Sequence, residues 1–256
     1  MAFKKLKYWF DQELAEMLSD KILGEDSNFP RDQFVSTVVG KIDALELKDR
    51  VELIADTFHM HLGNSIPENI KILVAILGPE NEKETGMFTN YYWIMPIAKY
   101  VEKYGMGHFD ISMNAIAEIT KRNTGEYAIR PYLVNDTKKT LAMLTTWSQH
   151  QNKHIRRLSS EGVRPRLPWA KKLDVFIENP TPIIPILNNL KNDPSKYVQK
   201  SVANCINDIL KDNPEIGRNL IEKWNVNPTK ERKWILKHAL RNLLKAQDQW
   251  ALKIIK

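Results

Sequence analysis

Only one cysteine, Cys205, occurs in the 256 residues of this chain, so the fold cannot rest on disulfide bonds. Cysteines and histidines also lack the spacing of a zinc site, and we interpret the pairs His59 with His61 and His150 with His154 as surface or packing residues. These absences exclude disulfide-rich and zinc-dependent folds. They favour an intracellular, reducing compartment, and they predict a protein without a bound metal.

Long apolar runs are missing as well. The longest, residues 72–77, is far shorter than the roughly 20 residues that a membrane-spanning helix needs. Near the N-terminus, Asp11 and Glu13 interrupt any apolar stretch that would resemble a signal peptide. The apolar fraction of 43% is still sufficient to build a core and argues against disorder. We therefore predict a folded cytoplasmic protein that does not associate with a membrane.

The charge is distributed unevenly along the chain. Residues 1–151 hold 17 Lys or Arg against 21 Asp or Glu, whereas residues 152–256 hold 21 against 10. The first part is therefore net negative and the second strongly positive. A concentrated positive surface is typical of polyanion binding, because each neutralised phosphate releases counterions. The alternative interpretation is charge that only maintains solubility.

The hydrophobic period is that of α-helices, and no stretch has a convincing strand pattern. Residues 31–45 follow a proline and repeat apolar residues at the spacing of one helix face. Similar patterns cover residues 48–62, 67–77, 91–104, 112–121 and 138–147. The sequence therefore predicts an all-α protein made of stacked helix pairs.

Three segments of the basic half resemble each other. Residues 154–158 are matched by residues 197–201, 43 positions later, and by residues 234–238 after another 37. Such spacing is typical of HEAT-like helical repeats of about 40 residues. Stacked repeats place equivalent helices side by side, so their basic residues form a continuous stripe. We predict one domain, residues 1–256, shaped as a curved solenoid with a basic concave groove that fits a duplex.

Residues 156–169 are the densest cluster of functional side chain types. One acid, Glu161, lies among four arginines, and the segment ends on Trp169. The arginines are Arg156, Arg157, Arg164 and Arg166. Solvated helix faces usually mix their charges, and this segment does not. Basic side chains, an acid and an aromatic together indicate an enzyme that acts on nucleic acid; the alternative for Trp169 is a core position.

A second acid, Asp208, lies on a predicted helix over residues 197–210. Its apolar stripe is formed by Val198, Val202, Cys205, Ile206 and Ile209. By this period Asp208 borders the basic side of the helix rather than the core. The alternative role for Asp208 is a cap or a salt bridge to Lys200 or Lys211.

Several motifs, taken in order, resemble one known family. They are HIRRL at 154–158, SEGVRPRLPW at 160–169, SVAN at 201–204 and NDI at 207–209, together with EITKR at 118–122, EYAIRPYL at 126–133 and WILKHALR at 234–241. This set is similar to the AlkC branch of the AlkC/AlkD superfamily of alkylpurine DNA glycosylases, which consist of HEAT-like repeats. The resemblance covers nearly the whole chain.

The resemblance implies removal of N-alkylated, cationic bases, chiefly 3-methyladenine, from double-stranded DNA in a bacterial cytosol or nucleoid. It implies that Glu126, Glu161 and Asp208 are the active-site carboxylates, with Asp208 stabilising a cationic sugar. Trp169 or Trp147 would present an aromatic face to the lesion or to the exposed sugar. We expect a monomer without metal or organic cofactor, because hydrolysis uses water and the charged base leaves readily.

DNA phosphates would be contacted by the four arginines of residues 156–169 and by further cations of the basic half. These further cations are Lys200, Lys211, Lys237 and Arg241. Three positions depart from the family pattern and put the DNA contacts in doubt: Gln199 replaces a frequent arginine, Cys205 a frequent histidine, and Gly125 a more helix-compatible residue.

A catalytically silent helical-repeat scaffold is the competing hypothesis. It predicts salt-sensitive DNA binding without base release, and it leaves the three acids free to change. A protein-binding solenoid explains the charge less well, because its groove has no need to be so basic.

Overall fold

The computed structural model describes residues 4–84 and 88–255 as α-helices, short 3-10 helices and turns, with no β-strand in those ranges. The prediction of an all-α protein is therefore confirmed. The chain forms two compact units, one of Met1–Asn81 with Gly86–Ile129 and one of Glu82–Thr85 with Arg130–Lys256. The single domain and its concave groove stay predictions.

The first unit contains seven described α-helices, joined mostly by short turns. They are α1 Gln12–Leu23, α2 Arg31–Ile42, α3 Leu47–His61, α4 Ile66–Ala75, α5 Phe88–Tyr91, α6 Met95–Tyr104 and α7 Phe109–Thr120, with 3-10 helices at Leu6–Trp9 and Tyr92–Ile94. Neighbouring helices pack pairwise, α1 on α2, α2 on α3, and α3 on α6. The predicted helix over residues 31–45 ends three residues earlier, at Ile42.

The second unit contains ten α-helices among its described residues. They are α8 Arg130–Asn135, α9 Thr137–Trp147, α10 Lys153–Glu161, α11 Asp174–Glu178, α12 Ile184–Leu190, α13 Lys196–Asp212, α14 Pro214–Trp224, α15 Lys230–Ala239, α16 Arg241–Lys245 and α17 Gln249–Ile254, with a 3-10 helix at Thr181–Ile183. Side chains cap many of the N-termini, which satisfies backbone N–H groups that helices leave open. For example, the Ser195 hydroxyl accepts from the Val198 N–H at the start of α13.

The three similar segments of the sequence lie on α10, α13 and α15. These helices pack consecutively, with α13 between α10 and α15. The predicted apolar stripe of α13 is buried along its whole length, from Val198 to Ile209. The helical repeat is therefore confirmed, and it brings the acid at the end of α10 to the acid in the middle of α13. In residues 4–84 and 88–255 the helices are too short or too polar to cross a membrane.

Candidate active site

Two acids meet where α10 packs on α13. Glu161 is the last residue of α10, and Asp208 lies within α13. Their residues are only 5% and 8% exposed, so both carboxyl groups are largely removed from water. A buried carboxylate is costly unless cations or hydrogen-bond donors compensate it. The position of Asp208 at the border of the apolar stripe is as predicted, but it is more enclosed than the sequence indicated.

Arg164 joins the two acids through one guanidinium group. Its Nε donates to Oδ2 of Asp208 at 2.9 Å and its Nη2 to Oδ1 at 3.3 Å, while Nη1 donates to Oε1 of Glu161 at 2.7 Å. The chain leaves the helix after Glu161, which lets Arg164 turn back towards α13. Asp208 therefore pairs with an arginine 44 residues earlier, not with Lys200 or Lys211 as the alternative interpretation expected.

The environment separates the pKa values of the two acids. Burial raises the pKa of Asp208 above its ordinary value, although the hydrogen bonds and charge of Arg164 oppose this. Burial also acts on Glu161, but the charges of Arg157 and Arg164 outweigh it and leave the pKa of Glu161 below its ordinary value. The pKa of Arg164 is raised, because the two acids more than offset its burial. Glu161 is thus the more firmly ionised of the two carboxyl groups.

A second arginine and a pair of serines complete the surroundings of Glu161. Nη2 of Arg157 lies 3.5 Å from Oε1 of Glu161, and the Arg157 guanidinium lies over the ring of Tyr197 at 5.0 Å. The hydroxyls of Ser160 and Ser201 are 2.7 Å apart and buried. The acid at the end of α10 is therefore fixed by contacts from both α10 and α13.

The two outer arginines are also paired with acids. Arg156 Nε donates to Oδ2 of Asp193 at 2.6 Å, and Arg166 Nε donates to Oδ2 of Asp212 at 2.7 Å. Acids from outside the segment therefore balance part of its positive charge in the folded chain. All four arginines have a carboxylate partner: Glu161 lies within the segment, whereas the other acids come from residues that are distant in sequence. Asp193 and Asp212 carried no motif that would have identified them.

The cations of the later helices have a different environment. No carboxylate oxygen of the described residues lies within the 4.0 Å of a salt bridge to any of four of them. They are the predicted phosphate contacts Lys200, Lys211, Lys237 and Arg241. We call these four the uncompensated cations, because none has a carboxylate salt-bridge partner and each is available to an external anion.

Two of these cations line a cleft of about 490 Å³ on α15 and α16. Its walls are formed by Trp234, Lys237, His238, Arg241, Leu244 and Lys245. The rings of Trp234 and His238 are stacked at 4.9 Å. Burial lowers the pKa of Arg241, and the charge of Arg164 lowers it further while Asp208 opposes, so Arg241 lies near the two-acid cluster. One cation of the cleft, Arg241, therefore interacts electrostatically with Arg164 and Asp208.

The predicted aromatic contacts differ in exposure. Trp169 is 81% exposed and its backbone has φ of 66°, in the left-handed region. The alternative of a core position for Trp169 is therefore wrong. Trp147 is only 8% exposed at the end of α9, so it presents little surface to a substrate. We retain Trp169 alone as the proposed aromatic contact.

The third predicted acid, Glu126, belongs to the first unit, in the turn after α7. Its backbone N–H donates to the Thr124 hydroxyl at 3.2 Å, and that hydroxyl donates to Oε2 of Glu126 at 3.0 Å. Gly125 is required beside it, because a Cβ atom there would lie 2.7 Å from Oγ1 of Thr120. This departure from the family pattern therefore serves the local packing of a turn rather than a helix.

The other two departures are also explained by packing. Gln199 is buried, and its Nε2 donates to the carbonyl of Asp193 at 2.8 Å. Cys205 is fully buried, and burial raises the pKa of its thiol well above the ordinary value. Neither side chain is placed to contact an external ligand. No group of three or more His, Cys, Asp or Glu within residues 4–84 and 88–255 is arranged to hold a metal ion.

Known proteins are similar to this chain in sequence and in fold. A model of the family described as "DNA alkylation repair enzyme" matches residues 123–243, which include α10, α13 and α15. The chain is 36% identical over 249 residues to the protein YhaZ of Bacillus subtilis (strain 168). The matched region covers 96% of this chain and 67% of YhaZ.

Solved structures match the fold as well. The alkylpurine DNA glycosylase AlkC of Pseudomonas fluorescens, solved bound to DNA containing an abasic site analog, has 34% identity and a TM-score of 0.90, covering 99% of this chain and 69% of AlkC. AlkD2 of Streptococcus mutans shares the fold at 23% identity and a TM-score of 0.50, over 77% of this chain and 98% of AlkD2. The chain therefore belongs to the DNA alkylation repair enzyme family, in its AlkC branch of helical-repeat proteins.

Proposed function

We propose that this chain is a monofunctional DNA glycosylase that hydrolyses the N-glycosidic bond of N-alkylated, cationic bases, chiefly 3-methyladenine. The observation that carries the proposal is the buried cluster in which Arg164 holds Asp208 and Glu161. The AlkC relative supports it, because that protein was solved on DNA with an analog of an abasic site, the product that base removal leaves behind.

In this reaction the cationic sugar needs more stabilisation by the enzyme than the departing base does. An N3-alkylated adenine carries a positive charge, so it leaves as neutral 3-methyladenine with the bonding electrons and needs little acid catalysis. The sugar then becomes cationic, like an oxocarbenium ion, and a fixed carboxylate stabilises it more than it stabilises the ground state. Asp208 is our choice for this carboxylate. Its second task is to orient the water that attacks the sugar.

The two hydrogen bonds from Arg164 suit this role. They fix the orientation of the Asp208 carboxylate in advance, so little reorganisation is needed when charge develops on the sugar. They also oppose the rise that burial causes in the pKa of Asp208. Glu161 balances the charge of Arg164 and adds to the negative potential near the sugar, and Glu126 is proposed as a further acid that contacts the cationic base or its water.

The exposed face of Trp169 is proposed to contact the lesion or the exposed sugar. A cation over an indole gains about 0.5 to 2 kcal/mol, which favours an alkylated base modestly over a neutral one. The selectivity for damaged bases would then come from two sources, the weakened bond of the cationic base and this contact.

Double-stranded DNA would be bound through its phosphates by the uncompensated cations, chiefly Lys200, Lys211, Lys237 and Arg241. We assign Arg156, Arg157, Arg164 and Arg166 a different primary role, because each of them already neutralises an acid. Their remaining N–H groups stay proposed contacts for the strand near the lesion. We propose that the chain acts as a monomer.

The experiment that tests the function incubates the purified chain with methylated DNA and identifies the free bases by chromatography. Release of 3-methyladenine that depends on the protein supports the glycosylase. Salt-sensitive DNA binding without any base release would overturn it and favour the scaffold hypothesis. An extended assay on DNA with other cationic bases defines the lesion range.

A further inference from the structure

The segment that carries both Arg164 and Trp169 is a loop without helical structure, residues 162–173 between α10 and α11. Several of its residues are buried, and a buried backbone carbonyl without a donor costs free energy comparable to a lost hydrogen bond. N–H groups of the loop itself donate to the carbonyls of Pro165 and Leu167, but other carbonyls of the loop accept from donors outside it.

Arg130, the first residue of α8, supplies such donors. Its Nη1 donates to the carbonyls of Gly162 at 3.0 Å and Arg164 at 2.9 Å, and its Nη2 donates to the carbonyl of Lys171 at 2.6 Å. Arg130 is only 5% exposed. The three acceptors lie near both ends of the loop, so one side chain fixes the loop on either side of Trp169.

Only arginine can make this set of contacts from one position. Its guanidinium group presents five N–H donors on three nitrogens in a rigid plane, whereas a lysine presents a single ammonium nitrogen and cannot donate from two separate nitrogens as Arg130 does. The contact to the Arg164 carbonyl is decisive, because the same residue holds Asp208 and Glu161 through its side chain. Arg130 is thus hydrogen-bonded to the backbone of the residue that joins the two acids.

The backbone of Trp169 adds a second reason for external support. Non-glycine residues adopt a φ of 66° rarely, since the Cβ atom crowds the backbone in the left-handed region. Such conformations persist when the surrounding structure determines them. Trp169 is 81% exposed, and Arg130 holds the backbone on either side of it.

We propose that Arg130 is a positioning residue that holds residues 162–173 so that Arg164 orients Asp208 and Trp169 faces the DNA. This inference rests on the proposed glycosylase function, and it assigns Arg130 no direct contact with the substrate. Loss of the guanidinium group would therefore slow base removal more than it weakens DNA binding.

The chain contains a matched control in its first unit. Arg50 is 2% exposed, and its guanidinium likewise donates to three backbone carbonyls, those of Leu45, Phe10 and Asp43, at 2.9, 2.9 and 3.1 Å. None of these acceptors belongs to the loop of residues 162–173. Arg50→Lys therefore removes a similar buried network without touching the two-acid cluster.

The test compares Arg130→Lys with Arg50→Lys in the full chain, using single-turnover base release, the Kd for lesion-containing DNA and thermal unfolding. We expect Arg130→Lys to slow base release about 10- to 100-fold with less than about a 3-fold change in Kd, since small misplacements of catalytic groups have effects of this size. Arg50→Lys is expected to keep the native rate even where it lowers the unfolding temperature equally. Equal rates for the two variants would overturn the proposal.

A second readout needs no catalysis and separates this inference from the proposed function. The chain labelled with fluorotryptophan gives one fluorine resonance for each of its seven tryptophans, and Trp169→Phe identifies the one from Trp169. Arg130→Lys should shift or broaden that resonance, and Arg50→Lys should leave it in place. A native chain without base release would contradict the glycosylase, whereas an unmoved Trp169 resonance would contradict the role of Arg130.

The same measurements are made on Arg130→Gln, because the amide of glutamine has two N–H donors and no charge. A partial effect, between the native chain and Arg130→Lys, supports the geometric role. If both Arg130 variants fail to fold while Arg50→Lys folds, the proposal is overturned, because Arg130 then serves the whole unit rather than the loop.

Discussion

Asp208 is the residue on which the proposed chemistry depends most. Asp208→Asn keeps the shape of the side chain and removes the charge that would stabilise a cationic sugar. We expect the single-turnover rate of 3-methyladenine release to fall by about 100- to 1000-fold, the usual effect of losing a preorganised electrostatic contact. The Kd for DNA should change little, because the carboxylate is buried and is not a phosphate contact.

Asp212→Asn is the matched control for that variant. Asp212 ends the same helix, is also paired with an arginine through two hydrogen bonds, and does not contact Arg164. We expect it to retain base release within a few-fold of the native chain. An equal loss in both variants would mean that the rate follows the integrity of α13, not the Asp208 charge.

The pH dependence of base release tests the role of Arg164. Burial already raises the pKa of Asp208, and Arg164 opposes that effect. Arg164→Gln should therefore raise this pKa further, so the rate should fall at a higher pH as the solution is acidified. A pH profile of the single-turnover rate measures the shift. If the rate falls at the same acidic pH in the native chain and in Arg164→Gln, the ionisation of Asp208 does not control the catalytic step.

The same shifts predict opposite contributions to stability. The pKa of Glu161 is lowered in the folded chain, so its ionisation stabilises the fold above the unfolded pKa, and this is lost as the pH falls through the folded value. The pKa of Asp208 is raised, so its ionisation destabilises the fold at neutral pH, and acidification relieves that cost. The stability of the native chain relative to Asp208→Asn should therefore increase as the pH falls through the folded pKa of Asp208, which unfolding of both proteins across pH measures.

At the scale of single residues, the sequence predicted the two acids but not the arginine that pairs with both. Residue type and helix period were sufficient to select Glu161 and Asp208, because a carboxylate beside an apolar stripe is unusual. The link through Arg164 was not predictable from a helix face, because α10 ends at Glu161 and Arg164 lies in the loop that follows. Contact across 44 residues depends on how α10 packs on α13, which no local pattern encodes.

At the scale of elements, the turn after α7 offers a test of packing. A Cβ atom at Gly125 would lie 2.7 Å from Oγ1 of Thr120 and 2.8 Å from Cγ2 of Ile116. Gly125→Ala should therefore destabilise the chain by about 1–3 kcal/mol through overpacking. Urea unfolding measures the change. Gly63→Ala is the control, because a Cβ atom at Gly63 meets no atom within 4 Å.

Base release by Gly125→Ala also bears on Glu126. If Glu126 acts as a catalytic acid, a shift of this turn should slow the reaction in molecules that remain folded, whereas Gly63→Ala should not. A native rate for folded Gly125→Ala would argue against a precise role for Glu126.

The helices themselves were largely predictable, and the loops were not. Apolar periodicity located α3, α7 and α9 within a few residues of their ends, because those helices bury one face. The loop of residues 162–173 has no such period. Three of its carbonyls accept from Arg130, which lies more than thirty residues away in sequence, and no local pattern indicates such a contact.

At the scale of the whole molecule, the uncompensated cations predict the salt dependence of DNA binding. Lys200→Gln and Lys237→Gln should each reduce the slope of log K against log salt concentration by about 0.9 if each side chain neutralises one phosphate. The control is Lys103→Gln in the first unit, where Lys103 is already paired with Glu52 and Asp56. Binding titrations at several salt concentrations give the slopes.

An unchanged slope in both of the first two variants would place the phosphate contacts elsewhere. In that case the arginines of residues 156–166 would have to exchange their acid partners for DNA. The sequence predicted the imbalance of charge between the two parts of the chain correctly, yet it selected paired and unpaired cations alike. Burial and pairing, which only the folded chain reveals, separate the two groups.

The backbone conformation of Trp169 has a consequence for attempts to make this protein more heat-resistant. A tryptophan with φ of 66° lowers the free energy of unfolding by about 1 kcal/mol or more. Glycine or asparagine at the same position would avoid this loss of stability. Directed evolution that scores survival at high temperature alone would therefore favour replacement of Trp169 and produce robust but slow variants. A library should instead be scored on repair of damaged DNA after heating, with position 169 held fixed.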